Sequence, residues 1–100
     1  MIYRGTTPKL VFTLPFDTSL IDKIYITFQQ KYRKAIEKDK SVCSFENNKV
    51  TLKLTQYDTL TFVSNYPVNI QLRVLLNDGS AIASKIIEKQ VKDVLKDGAI

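Results

Sequence analysis

The chain contains no histidine and a single cysteine, Cys43, and these two facts limit its chemistry before any fold is considered. Serine triads, Cys-His pairs and most zinc sites need an imidazole as base or ligand, so all three are excluded. One thiol can build neither a thiolate metal cluster nor an internal disulfide. Flanked by Val42 and Phe45, Cys43 reads as a small buried apolar group rather than a nucleophile. Gly5, Gly79 and Gly98 lie far apart, so no glycine-rich loop cradles a phosphate. Paired carboxylates are the remaining catalytic option, and Asp58 with Asp78, or Glu37 with Asp39, could serve only if folding brought them into one cleft. Solvated acids at strand ends are the simpler reading. The chain is therefore expected to be no enzyme, with no metal and no cofactor.

Binding chemistry is better represented. Net charge is +5 with a pI of about 9.4, and Lys31, Tyr32, Arg33, Lys34 and Lys38 cluster in one short stretch. Cations so placed could contact phosphates while Tyr32 stacks on a base, which is the chemistry of a nucleic-acid surface. The competing explanation is an edge strand studded with lysine to stop it pairing with neighbours. Glu37 and Asp39 sit inside the cluster and dilute its field, which favours edge protection. Lys31, Tyr32, Arg33, Lys34 and Lys38 are retained as the candidate interaction patch. Tyr3, Tyr25, Tyr32, Tyr57 and Tyr66 offer rings for a glycan platform, but there is no tryptophan, and outward tyrosines commonly pack across strands.

The elements that must carry these residues are strands. From Val68 to Leu76 apolar and polar residues alternate, and Asn77-Asp78-Gly79-Ser80 then turns the chain into a second apolar run. Alternation closed by Asp-Gly is a strong hairpin signal, because few residues tolerate the positive φ of a tight hairpin turn. Earlier strands are expected at Lys9 to Leu14, Asp22 to Gln30, Lys34 to Lys38, Val42 to Phe45 and Lys49 to Leu54. In the second of these, Ile24, Ile26 and Phe28 face one way and Tyr25, Thr27 and Gln29 the other, so a one-residue slip would expose all three large groups. Glu46-Asn47-Asn48 is expected to be a turn. Thr55 and Asp58 have the spacing of a capping box, predicting one helical turn that crosses between sheets and ends by Ser64 and Asn65. The tail from Val91 is expected to add a final short strand.

A two-residue loop at Asp78-Gly79 would set Leu76 opposite Ala81, Val74 opposite Ala83 and Ile70 opposite Ile87, all sensible core pairs. It would also set Leu72 opposite Lys85. That mismatch predicts a β-bulge near Ser84 or a lysine that snorkels out at the edge.

About seven short strands with one short helical crossover predict an all-β fold, an immunoglobulin-like antiparallel β-sandwich, with a small closed barrel as the alternative. Residues 1–100 form a single domain. Arg4, Gly5, Pro8 and Lys9 interrupt any apolar run near the start, and no stretch approaches a membrane span, so the chain is expected to be soluble and made in the cytoplasm, with no membrane insertion.

Arg4-Gly5-Thr6-Thr7-Pro8 leading to Phe12-Thr13-Leu14-Pro15-Phe16, Leu54-Thr55-Gln56 with Asp58-Thr59-Leu60 and Phe62, Ile70 to Val74, and Val94-Leu95-Lys96-Asp97-Gly98 form a recurring set of fold-supporting positions. In these the chain resembles small structural proteins encoded by phages and prophages of Gram-positive bacteria. More loosely, it resembles the immunoglobulin-like N-terminal domain of phage baseplate upper proteins. It departs from that pattern at Gln30-Lys31-Tyr32-Arg33, where an Asn-Gly type turn would be expected. The resemblance implies a non-catalytic structural or adaptor protein of a virion, in the tail or baseplate region. Its partners would then be other virion proteins in a homo- or hetero-oligomeric assembly. A nucleic-acid-binding accessory protein and a glycan-binding adhesion module are the alternatives.

Overall fold

Alternation of apolar and polar residues builds two facing sheets in the computed structural model, which describes Met1–Ile100. In chain order the strands are β1 (Ile2–Tyr3), β2 (Lys9–Thr13), β3 (Ile21–Gln30), β4 (Arg33–Asp39), β5 (Cys43–Glu46), β6 (Lys49–Lys53), β7 (Val68–Leu76), β8 (Ala81–Ala83), β9 (Ile87–Lys89) and β10 (Val91–Lys92); helix α1 (Gln56–Leu60) separates β6 from β7. One sheet has the order β2-β6-β5. The other has the order β4-β3-β7-β8, with β9 also on β7. All pairings within these two sheets are antiparallel. The arrangement is an antiparallel all-β sandwich, with the helical crossover leading from the smaller sheet into the larger.

The interior is a single apolar cluster of 16 residues drawn from both sheets. Across the central pair of strands, Ile24 registers with Val74, Ile26 with Leu72 and Phe28 with Ile70, so the alternation in β3 and β7 buries matched sets of side chains. Val50, Leu52 and Leu54 face them from the smaller sheet, all fully buried. Phe62, just after α1, packs on Phe28 with ring centroids 6.0 Å apart and an interplanar angle of 33°.

The capping box forms as its spacing predicts. The Thr55 hydroxyl accepts from the Asp58 amide at 3.0 Å, and the Asp58 carboxylate accepts from the Thr55 amide at 2.9 Å. At the other end of α1, Arg4 donates to the carbonyls of Leu60 (3.1 Å) and Phe62 (2.8 Å), placing a cation where the helix dipole is negative. Arg4 also pairs with Asp93 at 2.9 Å and so ties both chain ends to the crossover.

Four details correct the sequence reading. Val42 belongs to a single 3-10 turn, Lys40–Val42, whose N-terminal cap is Asp39, rather than to β5. The hairpin after β7 has a three-residue loop: Leu75 pairs with Ala81 and Val74 with Ile82, and the Leu76 amide bonds to the Ser80 carbonyl. Gly79, at φ +89, provides the left-handed residue such a loop requires. The second apolar run is split into two short strands, β8 and β9, and the final short strand expected from Val91 forms as β10, which pairs in parallel with β1 at Ile2 and Val91. Finally, β1 itself went unforeseen, because two residues carry no period.

The register changes by one residue between Ala83 and Ile87, which is the bulge anticipated from the Leu72–Lys85 mismatch. Ser84 manages it. Its amide donates to the Leu72 carbonyl, its hydroxyl accepts from the Leu72 amide at 3.0 Å, and that hydroxyl donates to the Lys85 carbonyl at 2.8 Å. A side-chain oxygen thus fills the place of the missing ladder acceptor.

Candidate interaction surface

β3 and β4 are joined by a two-residue loop, Lys31-Tyr32, because Gln30 pairs directly with Arg33. Both loop residues have positive φ, +51 at Lys31 and +64 at Tyr32. Those angles define the hairpin turn whose twist suits the strands, and it normally selects Asn-Gly. Side chains with a Cβ of ordinary bulk adopt this region at a cost of about 1–2 kcal/mol per residue. The Tyr32 ring is 98% exposed, so no packing compensates it there.

The five patch residues do not act alike. Lys31 lies over the Tyr66 ring, 4.2 Å from its centroid. Lys34 pairs with Glu37 at 3.5 Å on the exposed face. Lys38 is drawn away altogether: its register partner is the buried Ile26, so it points between the sheets and reaches Asp58 on α1 at 3.0 Å. An inward-pointing charge of this kind blunts an edge strand, and β4 is an edge strand. Arg33 is left as the one cation of the patch with no partner inside the molecule.

Beneath the tip runs a groove of about 530 Å³, lined by Gln30, Lys31, Arg33, Lys34, Thr61 and Val63. Gln30 builds its floor. It is buried, donates to the carbonyls of Val63 (2.9 Å) and Tyr66 (3.1 Å), and accepts from the Val63 amide at 2.8 Å. Thr61 and Val63 come from the segment after α1, and no local sequence pattern marks them as neighbours of the hairpin. The tyrosines considered as a glycan platform are dispersed over separate elements, with Tyr3 on β1, Tyr25 on β3, Tyr32 at the tip and Tyr57 on α1.

The carboxylates weighed for catalysis are each committed locally. Asp39 accepts from the Ser41 amide and hydroxyl, Asp78 accepts from the Ser80 amide in its turn, and Glu37 faces Lys34 and Thr27. Asp58 is held by Thr55 and Lys38. No group of three His, Cys, Asp or Glu side chains converges in the fold. Burial pushes the Cys43 thiol up, and the Asp39 charge adds to the effect, so the thiol stays protonated at neutral pH.

The same hydrogen bonds set the response to acid. At Asp58 burial pushes the carboxyl up, but the Thr55 amide and Lys38 together outweigh it and hold it below its usual range. The Ser19 amide does the same for Asp17, the Ser41 hydroxyl for Asp39, the Ser80 amide for Asp78, and the Val94 amide with Arg4 for Asp93. A carboxylate with a depressed folded pKa stabilises the fold above its unfolded value of about 3.9 and loses that stabilisation as pH falls through the folded value. Without histidine, no side chain of ordinary pKa titrates between about pH 5 and 8. The melting temperature is therefore flat across that range and declines below about pH 4, where thermal melts in a pH series will follow it. A step near pH 6.5 would contradict this account.

Comparison with protein-family models, with curated proteins and with solved structures finds no match to this chain.

Proposed function

We propose that the chain is a non-catalytic structural or adaptor protein of a bacteriophage or prophage particle, in its tail or baseplate region, working through contacts with other virion proteins. The resemblance supplies the particle. The observation that carries the mode of action is the hairpin tip, where a fully exposed tyrosine is presented on a strained backbone above a groove with basic walls. Strain kept at an exposed turn is a common mark of a site under functional constraint. The tip suits an acidic surface segment of a neighbouring virion protein, with Tyr32 as its anchor and Arg33 as its free cation. Engagement of Lys31, Lys34 and Lys38 within the molecule weakens the case for a phosphate-binding face.

Replacing the tip by its favoured turn, K31N/Y32G, separates stability from docking. Relief of about 1–2 kcal/mol per residue exceeds the roughly 0.5–1 kcal/mol lost with the Lys31–Tyr66 contact, so the variant melts several degrees higher. In particles purified from the producing strain, mass spectrometry detects the wild-type chain and finds the variant depleted at least tenfold. Purified particles that lack the wild-type chain would refute the proposal. Filter binding with a steep salt dependence would shift the assignment to nucleic acid.

A further inference from the structure

The two edges of the larger sheet are built on opposite plans. β4 carries Arg33, Lys34, Glu37, Lys38 and Asp39, points Lys38 inward and is bulged near Ala35. β8 is Ala81-Ile82-Ala83, uncharged and exposed at every residue. Nothing on β8 resists a further strand.

The ladder fixes which backbone groups are free. Leu76 bonds to Ser80, and Leu72 bonds to Ser84, so the intervening hydrogen-bonded pair is Val74 with Ile82. The amides and carbonyls of Ala81 and Ala83 therefore point away from β7, out of the sheet edge. A strand that used them would have to pair at the same two-residue spacing and tolerate small neighbours.

We infer that β8 pairs antiparallel with β8 of a second copy of this chain, about a two-fold axis through Ile82. In that register Ala81 of each copy faces Ala83 of the other, and both pairs exchange their two outward hydrogen bonds. The two Ile82 side chains meet at the axis. Ile82 is 41% exposed in the single chain, on the core side of the sheet beside Val74, so the pairing extends the apolar interior across the joint. The flanks are complementary in charge: Ser80 meets Ser84, and Lys85 arrives beside the Asp78-Gly79 turn of the other copy. A different register would lose this. One shifted by a single residue would also aim bonded groups of one strand at free groups of the other.

The contact is short, so it forms a weak dimer, below the size of a permanent interface, that gains strength where an assembly holds copies side by side. The inference deepens the assembly reading above and rests on association being the chain's mode of action. Its test is solution oligomeric state, which particle incorporation does not decide.

Sedimentation equilibrium of the full chain from about 10 μM to 1 mM shows a monomer–dimer equilibrium at moderate salt. Ala83→Pro removes an outward N–H and no internal hydrogen bond, and raises the dissociation constant at least tenfold with the fold retained by circular dichroism. Lys85→Glu, an exposed change that leaves β8 intact, weakens the dimer by opposing Asp78, and is the second variant should Ala83→Pro unfold. A wild-type chain that stays monomeric at 1 mM overturns the inference, as does a dimer that is indifferent to both substitutions.

Discussion

Leu72→Asp abolishes the folded state at room temperature. Leu72 is 2% exposed, sits at the middle of β7 opposite Ile26, and belongs to the one apolar cluster the two sheets share. Removing its side chain forfeits about 2–5 kcal/mol, as large-to-small core changes do. A carboxylate in its place finds no donor among Ile24, Ile26, Ile70 and Val74, and burying it unpaired costs several kcal/mol more. Together these are comparable with the total stability of a small domain, about 5–15 kcal/mol. Far-UV circular dichroism of the variant lacks a cooperative thermal transition. The control is Arg73→Asp, one residue on and on the opposite face, where an exposed side chain with no hydrogen-bonded partner is exchanged. Its melting temperature moves by a few degrees at most, consistent with an effect within about 0.5 kcal/mol. Equal damage at both positions would show that the inward and outward faces of β7 are misassigned.

That contrast rests on period two, which is also why β3, β6 and β7 were legible in the sequence. Ile24, Ile26 and Phe28, or Val50, Leu52 and Leu54, can be buried together only in an extended chain of one register. The bulge at Ser84 was legible for the same reason, since the alternation beyond it failed to continue with Lys85. The hairpin loop was not. Asn77-Asp78-Gly79 satisfies a two-residue turn and a three-residue loop alike, because Gly79 takes positive φ in both, and the chain adopts the second, with Val74 opposite Ile82. The β1–β10 pair joins residues 89 positions apart through two residues each, a contact no local pattern encodes.

The surface was legible in outline only. Clustered charge located the β4 edge, yet which cations remain free depends on partners remote in sequence: Asp58 for Lys38 and Tyr66 for Lys31. The turn at Lys31-Tyr32 carries no turn-forming residue, so its tight geometry is imposed from outside it, by the register of β3 with β4 and by Gln30 anchoring the strand end to Val63 and Tyr66. A strong fold can hold a weak turn. The groove beneath that turn owes its far wall to Thr61 and Val63, so it depends on how the crossover is seated.

Phe62 seats it, and Phe62→Ala is expected to cost about 3–5 kcal/mol, the range for deleting a buried aromatic. The ring is 1% exposed and meets Phe28, itself fully buried, in a tilted pair worth about 0.5–1.5 kcal/mol beyond the area it covers. For a domain of this length the loss lowers the melting temperature by about 12–40 °C. Phe62→Leu, which keeps most of the volume, costs less than half as much. A double-mutant cycle with Phe28→Leu isolates the ring–ring coupling, which a crossover resting loosely on the sandwich would not show. Because Thr61 and Val63 flank Phe62, and Arg4 clamps its carbonyl, the alanine variant also loosens the wall of the groove under Tyr32. Hydrogen exchange at the Val63 amide, protected by Gln30 in the wild type, rises more than exchange in β7. An unchanged Val63 amide in the variant would mean that the crossover is held by Gln30 and Arg4 alone, with the Phe28–Phe62 contact incidental to it.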